Sequence, residues 1–339
     1  MNLVKLNDTI SMYPEPALGS VDENIRYMAL TVDYSTLNNK IKYGLARQIT
    51  KSVGDIDKPG FVDESKLIVV KSGDLLKWEK DSDLKINGIE KIIDKLSKKD
   101  RYFIGLEDPD IWIDEKTNIK HIYFTIAFKY KEQKGHKLYL GHAQGKELIS
   151  LSATKPVIEN NKEIAISPIK NKNFRYILTE SWTNKSEEGI GLLKAKDMDK
   201  DWKFIGLALK PKEEDFSWCS KYASPCKLID SSYTNIKDNL LSICTGHAQR
   251  QIKNGVEYRG DFLPGLFLFN PKTGEIPWID SEYWFKDPDA RIITFASDFI
   301  KISEEKGILY CHINDGFVRA YEVNLKELGK YVKEKFNSN

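Results

Sequence analysis

Apolar and polar residues alternate along this chain in short runs that predict β-strands rather than helices. The clearest runs are rich in aromatic and β-branched residues, which favour strands. Polar turns containing Ser, Pro, Asp or Gly separate them. The runs read IRYMALTV, HIYFTIAF, FRYILTES, LLSICTGH and GILYCHIN. The pattern therefore predicts an all-β chain.

A similar short stretch, opening with an acid or a serine, precedes each of these runs. The five stretches lie at Glu15 (EPALGS), Asp108 (EDPDIW), Ser167 (SPIKNK), Ser224 (SPCKLI) and Ser297 (SDFIKI). Repetition of a unit of short strands is typical of a β-propeller, because a lone sheet cannot bury both of its faces. We therefore predict a five-bladed β-propeller whose inner strands begin near these stretches.

The strand pattern predicts one domain over residues 1–339, with blades at about 15–100, 101–160, 161–215, 216–285 and 286–325. Two segments depart from it. In NGIEKIIDKLSKK the residues Ile89, Ile92, Ile93 and Leu96 follow helical spacing, which predicts a surface helix after the first blade. The segment NLKELGKYVKEKF predicts a C-terminal helix over residues 324–336.

Composition and charge exclude several classes of partner. The 52 basic and 50 acidic residues nearly cancel, with Lys scattered among Asp and Glu, so we expect no nucleic-acid partner. No apolar run approaches the roughly 18 residues of a membrane span, and the N-terminus lacks the apolar core of a secretory signal. The four cysteines match no zinc or redox spacing. We expect no membrane partner and a cytoplasmic protein with reduced thiols.

The predicted propeller gathers polar side chains at one mouth of its central channel. First strands begin at that mouth and second strands, running antiparallel, end there. Clustered carboxyl groups repel, which raises some of their pKa values towards those a general acid needs. We expect no metal ion and no cofactor at this site. The candidates from first strands are Glu15, Glu107, Asp108 and Asp298, and those from second strands are Asp33, Glu180, Trp182, His247 and His312.

Each candidate also has a purely structural interpretation. Asp108 precedes a proline and can cap a turn, and a glutamate at a strand end such as Glu180 can be solvated. His247 and His312 can be core histidines, and Trp182 can pack between blades. A non-catalytic propeller that binds carbohydrate or a protein partner is therefore the alternative to an enzyme. A structural divalent ion in the channel is a third alternative.

The stretch GLEDPDIWID, followed by HIYFTIAF, resembles the five-bladed propeller enzymes that act on glycosidic bonds. It is most similar to glycoside hydrolase family 130, the β-mannoside phosphorylases and hydrolases, and to related mannosyltransferase/phosphorylases. That family has an E-D-P-R motif whose Asp is the proton donor, and Asp108 matches it. Asp298 in FASDF is similar to an Asp that holds sugar hydroxyls. The resemblance implies cleavage or transfer of a glycosidic bond in an oligosaccharide or glycoside.

Two departures from the family bear on the acceptor. The arginine of E-D-P-R is Asp110 here, and Glu180 stands where phosphorylases place an arginine. An acid at that position would repel phosphate. We therefore expect hydrolysis rather than phosphorolysis, with Asp108 as proton donor and Glu180 or Glu15 as base. Inorganic phosphate is the alternative co-substrate.

Overall fold

Strands dominate the structure. The computed structural model describes residues 3–20, 25–132, 135–183, 187–211, 216–230, 236 and 238–338. This part of the chain contains two α-helices, α1 (Ile89–Leu96) and α2 (Leu325–Ser338), on the two segments whose apolar residues follow helical spacing. Within the same residues, no helix has the length and apolar content that crossing a bilayer requires. All four cysteines are buried.

The first half of the chain forms two antiparallel sheet units. Unit one consists of β3 (Tyr27–Val32), β4 (Lys42–Val53), β5 (Val62–Ser72) and β6 (Trp78–Asp83), preceded by β1 (Val4–Lys5) and β2 (Ile10–Leu18). Unit two consists of β8 (Arg101–Ile113), β9 (Lys120–Tyr130), β10 (His136–Gly145), β11 (Leu151–Ala153) and β12 (Ile158–Glu159). β7 (Ile86–Asn87) pairs with β11.

The second half repeats the arrangement three times. Unit three consists of β13 (Asn161–Asn171), β14 (Phe174–Trp182), β15 (Glu188–Ala195) and β16 (Lys203–Leu209). Unit four consists of β17 (Tyr222–Ile229), β18 (Leu240–His247), β21 (Phe262–Phe269) and β22 (Trp278–Ile279), with a hairpin of β19 (Gln251–Lys253) and β20 (Val256–Tyr258). Unit five contains β23 (Thr294–Lys301), β24 (Lys306–Ile313) and β25 (Phe317–Asn324).

One close approach joins units one and two. Ser65 of β5 and Gly105 of β8 form a single parallel pair between the two units. Gly105 has a φ of +149°, and a Cβ at this position would collide with the Ser65 carbonyl oxygen. Glycine is therefore required where the two backbones meet.

Each sheet is covered on both faces, which explains why β9 is apolar along nearly its whole length. Phe124 and Ile126 of β9 pack with Leu45 of unit one. Tyr123, which points to the opposite face, packs with Ile177 of unit three. The same alternation continues around the molecule, with shared cores between units three and four, four and five, and five and one.

The first strand of each unit contacts the first strand of its neighbours in a closed cyclic order, β3, β8, β13, β17 and β23. Each of these strands also contains a shift in register against the second strand of its unit. The shifts fall between Met28 and Thr31, Glu107 and Asp110, Ile166 and Lys170, Pro225 and Lys227, and Ala296 and Asp298. Such β-bulges re-aim side chains and are common beside active sites.

The bulges correct the interpretation of the repeated stretches. Asp108, Ser167, Ser224 and Ser297 lie inside first strands, at or beside the bulges, and not at strand starts. The turn-like residue types that made these stretches similar are the ones a bulged backbone tolerates.

The stretch at Glu15 does not begin a first strand. Glu15 lies in β2, which pairs with β25 in the sheet of unit five. The run IRYMALTV, interpreted as a second strand, forms β3, the first strand of unit one. The predicted start of a first blade at residue 15 is therefore wrong, because the N-terminal segment supplies an outer strand to the last sheet instead. Pro16 is accommodated there at register irregularities.

Candidate functional site

Five of the nine candidate residues line one cavity of about 260 Å³. They are Glu107, Asp108, Glu180, Trp182 and His312. The cavity lies where first strands begin and second strands end, and we call it the carboxylate cavity. Its wall also contains further polar and aromatic residues: Arg47, Asp63, Lys162, Glu163, Tyr222, Arg259, Phe262, Phe295 and Asp315.

The bulge in β8 aims Glu107 and Asp108 into this cavity. Asp108 has a φ of +47°, in the left-handed region that Asp tolerates better than most residues. Both side chains are buried, with exposed fractions of 9% and 8%. The local strain of this backbone is typical of functional positions.

Arg47 of β4 holds the two acids together. Its Nη2 donates to Glu107 Oε1 at 2.7 Å, its Nη1 donates to Asp108 Oδ1 at 3.1 Å, and its Nε donates to Ser65 Oγ at 3.0 Å. The planar guanidinium presents its donors in a fixed fork, which suits a pair of adjacent carboxylates. Arg47 therefore fixes the orientation of both acids.

The environment separates the pKa values of these neighbours. Burial raises the pKa of Glu107 to about 7, although Arg47 opposes the shift. Burial acts on Asp108 in the same direction, but Arg47 and Lys162 together lower the pKa of Asp108 below its ordinary value. Two adjacent acids with pKa values pushed apart can hold and accept a proton at the same pH.

Glu163 is the partner of Asp108 that the sequence did not reveal. It lies at a register shift between Lys162 and Ile164 in β13 and has a φ of +46°. Burial and the nearby Asp108 carboxylate raise the pKa of Glu163 well above its usual range. A hydrogen bond between the two side chains lowers the pKa of Asp108 and raises that of Glu163. The two opposite shifts favour a proton on Glu163 and an ionised Asp108.

Glu180, at the end of β14, is held differently. Ser224 donates its hydroxyl hydrogen to Glu180 Oε2, and Lys162 Nζ lies 3.5 Å from the same oxygen. Oε1 is buried and has no hydrogen-bond partner among the described residues. Burial raises the pKa of Glu180 even though Lys162 lowers it. The result is a carboxylate more basic than usual with one oxygen uncommitted.

His312 is fixed at the opposite wall. Its Nδ1 lies 3.4 Å from the Ala29 amide, which donates to it, and 3.1 Å from Ser297 Oγ. Its Nε2 lies 3.3 Å from Asp315 Oδ1. The ring stacks on Phe295 at a centroid distance of 4.7 Å. Backbone, hydroxyl and carboxylate contacts therefore set both the position and the hydrogen bonding of this imidazole.

The other four candidates do not line the carboxylate cavity, although His247 lies just behind its wall. His247 stacks on Phe262 at 3.9 Å and meets Tyr222 edge-on at 4.6 Å. Neither ring nitrogen has a hydrogen-bond partner in the described chain, and burial lowers the pKa of His247 to about 2. His247 is a core histidine that supports two wall residues.

Asp298, Asp33 and Glu15 lie elsewhere. The bulge beside Asp298 turns it away from the cavity, where it accepts hydrogen bonds from Val32 N, Tyr34 Oη and Lys227 Nζ at 2.8–2.9 Å. Asp33 follows the far end of β3, 3.3 Å from Lys120. Glu15 is exposed on β2. The expectation that these three share a mouth with Asp108 is wrong, because bulges and the true position of β2 change the side-chain alternation.

Comparisons with known proteins give structures but no sequence relatives. No protein-family model matches the chain, and no curated protein matches it. A glycosyl hydrolase from Bacteroides ovatus is similar at a TM-score of 0.64 and 15% identity, covering 91% of this chain and 86% of that one. A mannose phosphorylase from Leishmania mexicana, in complex with a phosphate ion, gives 0.57 and 13%, covering 94% and 90%.

A family 117 glycoside hydrolase from Zobellia galactanivorans is similar at a TM-score of 0.55 and 13% identity, covering 94% of this chain and 91% of that one. Such identities establish a likeness of fold. The chain therefore has the β-propeller fold found among glycoside-active enzymes, and its carboxylate cavity lies where the first strands of that propeller begin.

Proposed function

We propose that this protein is a carbohydrate-active enzyme that cleaves a glycosidic bond, with a β-mannoside as the first substrate to test. The observation that carries the proposal is the carboxylate cavity, in which several carboxyl groups meet the buried Arg47 and the half-buried Lys162. Asp108 lies inside this cavity and not on a flat rim, which favours catalysis over a binding-only propeller. The residues concerned are Glu107, Asp108, Glu163, Glu180, Arg47 and Lys162.

The proposed architecture is one propeller of five blades, each blade being one of the sheet units. The closed order of first-strand contacts and the cores shared between successive units support this count. Helix α1 then lies between the first and second blades, and α2 follows the last. Strand β2 serves as an outer strand of the fifth blade.

Asp108 is the proposed proton donor to the leaving oxygen. Its low pKa means that it is normally ionised, so the proton has to be supplied to it. Protonated Glu163, hydrogen-bonded to Asp108, is the source. Glu163 passes its proton to Asp108, and Asp108 passes a proton to the leaving oxygen as the glycosidic bond breaks, so that Glu163 ends the step ionised. Such general-acid assistance is worth about 10²–10⁴-fold in rate.

Glu180 is the proposed base if water is the acceptor. Its raised pKa and uncommitted Oε1 suit removal of a proton from water. In an inverting glycosidase the acid and base are about 6.5–9.5 Å apart, leaving room for that water. Trp182, His312 and Glu107 are the proposed contacts to sugar rings and hydroxyls, since all three line the cavity.

Phosphate is the second candidate acceptor because of Arg259. This residue lines the cavity, lies over the Phe262 ring at 4.9 Å and forms no ion pair with any carboxylate in the described residues. Lys162, although paired with Glu180, is a second cation on the same wall. A guanidinium without a carboxylate partner is suited to binding phosphate.

The test is a panel of β-mannosides and α-arabinosides assayed with and without inorganic phosphate, in the wild type and in Arg259→Gln. Hydrolysis predicts release of free sugar at a rate independent of phosphate and little affected by the variant. Phosphorolysis predicts a sugar 1-phosphate product and a raised KM for phosphate in Arg259→Gln. The absence of turnover on every glycoside, with or without phosphate, would contradict the enzyme proposal and favour a binding module.

A further inference from the structure

A second, larger cavity opens on the other side of the bulges. It has a volume of about 1020 Å³ and shares no lining residue with the carboxylate cavity. The same first strands pass from one cavity to the other: β8 contributes Asp108 to the first and Asp110 to the second. Only a space of about 10 Å³ lies between them, lined by both aspartates. We call the larger cavity the distal groove.

His121 lines the distal groove and has one ring nitrogen without a hydrogen-bond partner among the described residues. The residue is buried, with an exposed fraction of 7%, and it lines the groove. Its Nδ1 lies 2.9 Å from His142 Nε2, and His142 Nδ1 lies 2.7 Å from Thr154 Oγ1. This chain of hydrogen bonds commits one side of the His121 ring. Nε2, on the other side, has no partner among the described residues.

The hydrogen bonds that join His121, His142 and Thr154 can all be donated in either direction along the series. Nε2 of His121 therefore either accepts or donates a hydrogen bond. A hydroxyl group satisfies both forms because it is donor and acceptor at once. A carboxylate or phosphate satisfies only the donating form, and an ammonium only the accepting form. The geometry around His121 therefore favours a ligand with hydroxyl groups.

The charges of the groove point the same way. Its described lining contains five carboxyl side chains and five Lys or Arg side chains, so neither an anion nor a cation is selected by net charge. The Gln144 amide also lines the groove and has no side-chain hydrogen bond within the described part of the chain. Trp112 lies beside His121, at a centroid distance of 5.2 Å, and the Arg175 guanidinium lies over its ring at 5.5 Å, so the wall combines an aromatic and a planar cationic side chain.

We propose that the distal groove is a binding site for a neutral saccharide, separate from the carboxylate cavity. His121 Nε2 and the Gln144 amide bond hydroxyl groups of the ligand, and Trp112 packs near them. The volume is at the upper end of ligand sites, which span about 300–1,000 Å³, so an oligosaccharide fits better than a single sugar. The site goes beyond the proposed function, since it needs none of the residues that carry catalysis.

The histidine side chains allow the two sites to be observed separately. Imidazole ¹H–¹⁵N spectra of the wild type are recorded during titration with thio-linked β-1,4-mannobiose, with thio-linked cellobiose and with inorganic phosphate. The chain has five histidines, and loss of a signal in His121→Phe assigns His121. We expect at least one disaccharide to shift the His121 signal saturably, and phosphate to leave it unchanged.

The variant Gln144→Ala tests the site without changing the buried hydrogen-bond chain. Loss of one hydrogen bond weakens binding at the groove by about three- to tenfold. Gln48→Ala is the matched control, because Gln48 contacts Lys80 outside both cavities. The Gln48→Ala variant should bind the disaccharide with the affinity of the wild type.

Three outcomes would overturn the proposal. If disaccharides shift the His312 signal but not the His121 signal, they bind only in the carboxylate cavity. The groove proposal is then wrong, and the proposed function is unaffected. Phosphate that shifts His121 when neither disaccharide does would show an anion site. The absence of any His121 shift with all three probes would show that the groove does not bind this class of ligand.

Discussion

The carboxylate cavity and the distal groove are built from the same first strands, yet they differ in how their polar groups are held. In the cavity, Arg47 and Lys162 each contact acids, so the buried charges are tied to each other. In the groove, His121 Nε2 and the Gln144 side-chain amide lack hydrogen-bond partners among the described residues. Interlocked charges separate pKa values and suit proton transfer, whereas uncommitted groups suit reversible binding.

The bulges produce this difference. A residue that shifts from one face of a strand to the other changes cavity, as Asp108 and Asp110 do on β8. Because a bulge occurs in each first strand, the molecule divides its polar residues between two sites without any change of fold. Substitutions on either side of a bulge can therefore test the comparison.

The largest expected effect is on turnover in Asp108→Asn. Asn cannot supply a proton, so kcat should fall about 10²–10⁴-fold if general-acid transfer operates in the cavity. Asp108 is buried against Arg47, so thermal stability should also fall. Activity assays and melting curves on the same preparation measure both effects.

Asp287→Asn is the matched control for this change. Asp287 is buried and bonded to Arg319 at 2.9 Å and 3.0 Å, outside both cavities. This variant should melt earlier and still turn over at the wild-type rate. If Asp108→Asn behaves in the same way, Asp108 is structural and the catalytic assignment is wrong.

A smaller effect is expected on the pH dependence of stability. Burial raises the pKa of Glu107 in the cavity and of Asp110 at the edge of the groove to about 7 in each case. Between about pH 4.5 and 7 the folded chain keeps a proton on Glu107 that the unfolded chain loses. Stability therefore falls as pH rises through this window, because the folded state binds more protons.

Glu107→Gln should flatten this slope from about pH 4.5 to 7, and Asp110→Asn should flatten it from about pH 3.8 to 7. Urea denaturation at a series of pH values measures the slope of unfolding free energy against pH. The slopes are compared, and not the absolute stabilities, because each variant also loses contacts. A slope that is unchanged in both variants would mean that neither acid keeps its proton in the folded chain.

The smallest effect is expected at the support of Arg47. Ser65→Ala removes the acceptor of Arg47 Nε and leaves a buried donor unpaired, which costs about 1–3 kcal/mol of unfolding free energy. Turnover should change far less than in Asp108→Asn, because the two carboxylates still hold the guanidinium. Ser152→Ala on the exposed face of β11 is the control. A fall in turnover as large as that of Asp108→Asn would show that Ser65 has a more direct role in catalysis than support of Arg47.

The parts of the site that the sequence predicted are those set by strand order. Glu180 and Trp182 lie at the end of β14 and Asp108 lies inside β8, and the order of the strands within each unit predicts that these positions face the same end of the channel. The apolar runs predicted the strands because residue type and alternation within a short run are enough to indicate a strand.

The parts that the sequence did not predict depend on bulges and on closure of the ring. A bulge adds a residue, so the side chains that follow it in the strand point to the opposite face. For this reason Asp298 lies outside the predicted site and Glu163 lies inside it. Arg47 is separated in sequence from the acids it binds and meets them only because units one and two pack together. The turn-like residues mark where the backbone is irregular, but they do not show which side chains the bulge redirects, and no local signal places Arg47 beside the acids.

The position of β2 has a consequence for how the molecule is assembled. The sheet of unit five combines strands from both ends of the chain, with Ile10 opposite Val323. Strand β2 can therefore pair only after β25, which lies far later in the chain, has emerged from the ribosome. Pairing over such a distance in sequence slows folding, and until it forms, β25 presents an open edge to other chains. Pairing of β2 with β25 is thus the folding step that covers this strand edge and removes the risk of aggregation there.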